Sequence, residues 1–404
     1  MQSNAGTYRG KNKKKVNKKP NKNLALPTTE LSSSRSSKLW TLILPAPPIL
    51  NGPLAPNNWL KSADFLLQGR IKGPESILVE GDTIYTGTYD GLVVKIVKGQ
   101  VVNSIRLNAD YYERDDVECG TFEHEKFCGR PLGIRRLNST AIVVADAYWG
   151  VFAIDFDKGK FSGLVELSNW HFLEEPGMPS FFNDLDILDE RLIFFTDSSY
   201  KWSRRTFLHP LLEQEFSGRL FKYDIQTGKL VTLYSQLIFP NGVQIHPDRE
   251  SVLVAECGRA RVLRYYFAGT KNGSVEVFMD NLPGLPDNLR LSFDGKHLYV
   301  ALAGVRHADR PSLLDRLAFH PNFVRALIAT IPSNKFLGRA FSWIRPRHGM
   351  FLVADPQTGE ILDSFHDING PIEDVSQVSD DKDFYYLGSF HADFIARVPK
   401  RKLS

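Results

Sequence analysis

Four phrases in the chain place an oxygen-bearing side chain immediately ahead of an alternating apolar run: Glu75 in GPESILV, Asn183 in FNDLDIL, Asn241 in FPNGVQIHPD and Asp287 in LPDNLRLSF. Two carboxylates and two amide oxygens, with Asn288 as a fifth donor, make a hard-oxygen set. Such a set suits Ca²⁺, which takes about six to eight oxygens in irregular geometry, better than Mg²⁺ without a phosphate substrate. No His or Cys shares this register, which argues against zinc. Any one of these residues alone would read as a turn residue satisfying nearby backbone groups. Four in the same register of different units favour one shared ion. That ion could polarise an ester or lactone carbonyl and stabilise the oxyanion that forms. Asp287, a carboxylate beside it, is the candidate to activate water. His246, five residues past Asn241, reads as a turn residue. The G-x-S-x-G, P-loop and Gly-rich dinucleotide patterns are absent.

To bring the four together, the chain must repeat one element several times around an axis. Residues 82–105 read as three strands joined by turns at Asp90-Gly91 and Lys98-Gly99, and 139–167 repeat the design. Similar runs follow at 191–199 with 218–237, at 251–282, at 296–304 and at 384–399. Alternating apolar positions with Gly, Asp and Asn turns predict antiparallel meanders. Their recurrence predicts an all-β fold, a six-bladed β-propeller with units starting near 73, 131, 181, 239, 284 and 371. The last unit has three convincing strands, and residues 64–71 (DFLLQGRI) could supply the missing outer one. Residues 311–332 break the pattern, with Leu313, Leu314, Leu317, Phe323, Val324, Leu327 and Ile328 at helical spacing. They predict a helical insertion in the fifth blade, which the hairpin at 350–365 then completes. In such a ring each innermost strand runs along the central channel, so Glu75, Asn183, Asn241 and Asp287 gather at one mouth.

The sequence of 404 residues is long enough for one large propeller over 59–404. Its net charge of +4 is concentrated in residues 9–22, which hold eight Lys/Arg and no acid. That run reads as a solvated tail, a juxtamembrane segment or an import signal. The near-neutral remainder argues against a nucleic-acid partner. Residues 1–58 are therefore expected to be a disordered basic tail with a short apolar segment. That segment, 39–50, falls short of the about 20 residues of a spanning helix and contains three prolines. Cys119 and Cys128 are spaced so that a disulfide is permitted, and Cys257 reads as a small residue near a strand end. Asn138-Ser-Thr and Asn272-Gly-Ser are glycosylation acceptors if the domain is secreted or lumenal.

The phrases GPESI, YTGTYDGLVVKI, CGRPLGIR, VADAYWGVF, FNDLDI, FTDSSYKW, FPNGVQ, PDNLR and YLGSF run in order from about residue 73 to residue 390. Together they resemble the strictosidine-synthase-like family, six-bladed propellers related to paraoxonases, gluconolactonases and the calcium-dependent lactonase regucalcin. The resemblance implies Ca²⁺ on Glu75, Asn183, Asn241 and Asp287, with Asn288 adjacent, and arylesterase-like hydrolysis of a small ester or lactone. It also implies a Cys119–Cys128 pair, a glycan at Asn138, and a single-pass membrane protein with its propeller in the lumen or outside the cell. Segment 39–50 is shorter than the anchor of such relatives. Three features depart from the wider family. Leu132 stands where paraoxonases carry the first histidine of a dyad. Ser76 replaces an acid of their second calcium site, although Asp184 is present. The last-blade glutamate of true strictosidine synthases has no clear counterpart, with Glu373 only nearby. A calcium-dependent hydrolase and a non-catalytic binding propeller stiffened by the same ion are the two functions to be separated.

Overall fold

A computed structural model describes residues 44–108, 117–167, 177–309, 311–318 and 347–401. It contains six four-stranded antiparallel sheets. The first strand, β1 (Asp64–Leu66), is separate in sequence from the sheet it completes. The first blade comprises β2 (Ile77–Glu80), β3 (Thr83–Gly87), β4 (Leu92–Val97) and β5 (Gln100–Arg106). The second comprises β6 (Pro131–Arg136), β7 (Ala141–Asp146), β8 (Gly150–Asp155) and β9 (Lys160–Glu166). Then come β10 (Phe182–Leu188), β11 (Leu192–Asp197), β12 (Gly218–Asp224) and β13 (Lys229–Leu237). The fourth holds β14 (Pro240–Ile245), β15 (Ser251–Glu256), β16 (Arg261–Tyr266) and β17 (Val275–Met279). The fifth holds β18 (Gly284–Leu291), β19 (Leu298–Val305), β20 (His348–Ala354) and β21 (Ile361–Ile368). The last holds β22 (Gln377–Asp380), β23 (Phe384–Gly388) and β24 (Ile395–Pro399), with β1 as its outer strand.

This is the six-bladed propeller that the repeats predict. The segment expected to close the ring, 64–71, does so with its first three residues: β1 pairs with β24 from Asp64↔Arg397 to Leu66↔Ile395, and the chain turns at 67–70. The first and last parts of the chain thus share one sheet, so the ring cannot open without breaking a ladder. Apolar side chains fill the spaces between blades. Phe194, Val243, Val252 and Leu263, for example, form one core between the third and fourth blades. The innermost strands touch neighbours on both sides, which is why every residue of β14 is buried.

Among the described residues three short α-helices interrupt the meander: α1 (Glu125–Cys128), α2 (Leu208–Glu213) and α3 (Leu313–Ala318). Neither α1 nor α2 is legible in the sequence, since each is too short for a periodic pattern. Helix α3 opens the predicted insertion of the fifth blade. Ser312 and Asp315 cap it reciprocally: Asp315 N donates to Ser312 Oγ at 3.2 Å and Ser312 N donates to Asp315 Oδ2 at 3.0 Å. The rest of the predicted helical stretch, 319–332, lies outside the described residues, as do residues 1–43 of the N-terminal segment.

Residues 44–57 lie against the propeller. Arg306 Nη2 donates to Pro45 O at 2.7 Å, Asn281 Nδ2 to Ala46 O at 2.9 Å, and Ser364 Oγ to Pro53 O at 2.7 Å. Leu60, fully buried, continues this segment into the core between the last two blades.

Candidate metal centre

Strand pairing shows how the predicted donors reach one place. In four inner strands the register shifts across two residues: Leu132-Gly133, Asn183-Asp184, Asn241-Gly242 and Asp287-Asn288 each fall in the gap. A bulge bends the strand and re-aims its side chains. Here it turns the first residue of each pair toward the channel mouth. Glu75-Ser76 precede the first pair of the first blade, Ile77↔Thr86, and Ser376 precedes the first pair of the last, Gln377↔Gly388. The six first positions are therefore Glu75, Leu132, Asn183, Asn241, Asp287 and Ser376. Gly242 is required at its place, because a Cβ there would come within 2.4 Å of Asp287 O.

The side chains of Glu75, Asn183, Asn241, Asp287 and Asn288 are all buried. Their oxygens are left without partners to an unusual degree. Asn183 Oδ1, Asn241 Oδ1, Asp287 Oδ1 and both polar atoms of Asn288 are buried and make no hydrogen bond within the protein. Buried polar groups are rarely left this way, at a cost of about 1–3 kcal/mol each. The orientation of Asn183 is forced. Ser198 Oγ donates its single proton to Pro240 O at 2.6 Å, so it must accept from Asn183 Nδ2 at 2.9 Å. The carbonyl oxygen of Asn183 is thereby turned to the other side. This donor chemistry fits a hard divalent cation such as Ca²⁺.

Electrostatics agree with that fit. Burial, and then the negative field of Glu75, push the Asp287 carboxyl well above its ordinary range, while the Asn241 and Ser376 side chains pull it down. Burial also raises Glu75, against the pull of Arg130, whose Nη2 lies 3.3 Å from Glu75 Oε2. Two buried acids that repel each other make a site that a cation stabilises.

Deeper in the channel the chain carries its own cation. Arg290 donates from Nη1 to Asp184 Oδ2 at 2.7 Å and from Nη2 to Asp184 Oδ1 at 2.8 Å, and Nη2 also reaches Ser76 Oγ at 3.3 Å. Val243 N adds a bond to Asp184 Oδ2 at 2.9 Å. Both oxygens of Asp184 are thus engaged by protein donors, and its partner across the channel is a serine.

Above the mouth opens a cavity of about 570 Å³ lined by Glu75, Asn183, Asn241 and Asp287 at its floor. Its wall is largely apolar and includes Leu132, Phe181, Phe207, Leu211, Phe239 and Phe390. Asn288 does not line it and sits behind Asp287. His246 is buried at the end of β14, where Asp248 N donates to its Nδ1 at 3.1 Å; it is a turn residue away from the cavity. Four features of the site escape the sequence: Ser376 in the sixth register position, the Arg130–Glu75 pair, the Arg290 guanidinium, and His391 on the cavity wall. His391 Nε2 lies 2.6 Å from Asp374 Oδ2.

Arg204, also on the wall, is held by Glu125 of α1 at 2.8 Å, and Glu125 in turn accepts from Tyr148 Oη at 2.5 Å. A disulfide joins Cys119 to Cys128 at the end of α1 and closes the loop that carries Glu125. Cys257 is a buried free thiol on the wall. Of the two glycosylation acceptors, Asn272 is exposed, and Asn138 opens the turn before β7, where its Oδ1 accepts from Thr140 N at 3.0 Å.

Comparison with known proteins agrees with this architecture. The strictosidine synthase family model matches residues 183–270, and the strictosidine synthase-like N-terminal model matches residues 52–96. Adipocyte plasma membrane-associated protein of Gallus gallus is 40% identical over 357 residues, 88% of this chain and 82% of the relative. Its Homo sapiens counterpart is 38% identical over 354 residues, covering 87% and 81%. Among solved structures, a gluconolactonase from Xanthomonas campestris superimposes with a TM-score of 0.51 at 13% identity, covering 89% of this chain and 96% of that one. The calcium-binding protein regucalcin from Agrobacterium tumefaciens gives 0.50 at 12% identity, covering 85% and 93%. At such identities the two structures speak for the fold, whereas the sequence relatives speak for descent. This chain belongs to the adipocyte plasma membrane-associated protein family of strictosidine synthase-like propellers.

Proposed function

We propose that this chain is a calcium-dependent hydrolase of esters or lactones, with one ion held by Glu75, Asn183, Asn241 and Asp287 and with Asn288 beside them. The observation that carries the reading is the group of buried oxygens without partners, on Asn183, Asn241, Asp287 and Asn288, beneath one largely apolar cavity. A bound calcium ion supplies positive charge to a carbonyl oxygen and to the oxyanion derived from it. The chain's own residues do the rest. The phenylalanine and leucine wall seats the acyl or aryl part of the substrate and keeps bulk water away. Asp287 acts first as a ligand, since the pull of burial and of Glu75 on its carboxyl is relieved by a cation. The reading is in keeping with two relatives in fold, one a gluconolactonase and one a calcium-binding protein.

The same reading places the propeller on the lumenal or outer side of a membrane. Its sequence relatives are named as plasma membrane-associated. The Cys119–Cys128 disulfide belongs in an oxidising compartment. Among the described residues no helix is long and apolar enough to cross a membrane.

The test is an assay of the purified chain with phenyl acetate and a panel of lactones. Hydrolysis that EDTA abolishes and added Ca²⁺ restores is expected, and Asp287→Ala should remove both the activity and the calcium-induced rise in melting temperature. Activity indifferent to EDTA would refute the metal. A calcium-dependent melting temperature with no turnover anywhere in the panel would leave a binding propeller instead.

A further inference from the structure

We infer that His391, oriented by Asp374, is the proton acceptor of the cavity; the inference rests on the hydrolase reading above and names a residue which that reading leaves unassigned. His391 lies in the loop between β23 and β24, and Asp374 in the loop ahead of β22. The two meet at 2.6 Å between Nε2 and Oδ2. Asp374 is buried, whereas the His391 side chain is 37% exposed and lines the cavity.

The geometry fixes the tautomer. A carboxylate can only accept, so Nε2 carries the proton and Nδ1 carries the lone pair. An imidazole held this way by a buried carboxylate is the arrangement that general-base histidines use. His391 is also placed with respect to both floor carboxylates. The preceding residue, Phe390, accepts from Arg130 Nη2 at 3.0 Å through its carbonyl, and Arg130 Nη2 is also the group on Glu75. Phe390 N donates to Ser376 Oγ at 3.1 Å, and the Ser376 side chain acts on Asp287. One backbone unit therefore ties the His391 loop to Glu75 and to Asp287. The neighbouring charges have their own partners: Arg204 with Glu125, Arg306 with Asp315. Asp393, two residues on, is exposed.

In the step this geometry serves, the oxygen of a water adds to the substrate carbonyl carbon as its proton passes to Nδ1. The bond from that carbon to the leaving oxygen then breaks, and the proton goes from Nδ1 to the departing alkoxide or phenolate. No oxidant or further reactant is needed.

The experiment compares the full-length protein, saturated with Ca²⁺, with its His391→Gln, His391→Ala, Asp374→Asn and Glu373→Gln variants on phenyl acetate across pH. His391→Gln should lose kcat by about 100-fold or more, with KM little changed and the calcium-induced melting shift intact. It should also lose the acid limb of the kcat/KM profile. Added imidazole should restore part of the His391→Ala rate. Asp374→Asn should lower kcat with KM little changed and the calcium-induced melting shift intact, because the imidazole loses the carboxylate that orients it. If His391→Gln keeps its rate and its acid limb, or if Glu373→Gln removes that limb instead, the inference is overturned while the hydrolase reading stands. A wild-type protein that binds Ca²⁺ and turns over nothing would overturn both.

Discussion

At Asn288 both side-chain polar atoms are buried and lack partners, next to an Asp287 whose carboxyl is raised by burial and by Glu75. Such residues weaken a fold unless something binds them, at about 1–3 kcal/mol per lost partner. Asn288→Leu should therefore raise the melting temperature of calcium-free protein by a few degrees and reduce the further rise that Ca²⁺ produces. Differential scanning fluorimetry with and without EDTA checks this. A loss of stability in both states would mean that Asn288 has a structural partner instead. The convergence of Glu75, Asn183, Asn241 and Asp287 on one cavity was legible in the sequence because the four repeat one local phrase. Ser376 was not, since its hydroxyl sits in EDVSQV, without the Pro or Asn that marks the other units. Arg290 was hidden because a basic residue inside an apolar strand shows its role only when Asp184, 106 positions away, lies against it. His391 and Asp374 stand on different loops, and no spacing rule joins them.

At the scale of elements, one device recurs in three blades and anchors the segments that carry the channel residues. The second strand of each ends in an acid that accepts backbone protons from the segment leading into an inner strand. Asp146 takes Arg130 N at 2.7 Å, Asp197 takes Phe181 N at 3.0 Å, and Glu256 takes Ile238 N at 2.9 Å. The following residues are Leu132, Asn183 and Asn241, the channel positions of those blades. Asp197 is also paired with Arg219 at 2.7 Å, both side chains being buried. Removing one partner of a buried pair leaves the other charge uncompensated, so Asp197→Ala should cost about 3–5 kcal/mol in urea denaturation. It should also weaken calcium binding, because Phe181 and Asn183 lose their support. A variant with unchanged stability would show that the latch is dispensable. The meander strands were legible from alternation and turn residues, whereas these acids read only as polar strand ends. The bulges that aim the donors depend on pairing with a neighbouring strand and have no local signature.

The whole molecule was read most fully from its period. Six units, a closing strand within 64–71 and an insertion in the fifth blade all follow from apolar alternation and its recurrence, and the ring supplies the reason for the recurrence. The close packing of residues 44–57 on the fourth and fifth blades was not foreseen, because a proline-rich segment carries no periodicity to show which surface it meets. The ring also converts four distant residues into one centre: Glu75 and Asp287 are far apart in sequence, yet the field of one raises the other. A crystal of this protein soaked in CaCl₂ tests whether that centre holds calcium. We predict one strong anomalous peak at the channel mouth, within bonding distance of Glu75, Asn183, Asn241 and Asp287, and none beside Asp184, where Arg290 already sits. A featureless mouth at saturating Ca²⁺, or a peak anywhere else on the propeller, would contradict the account.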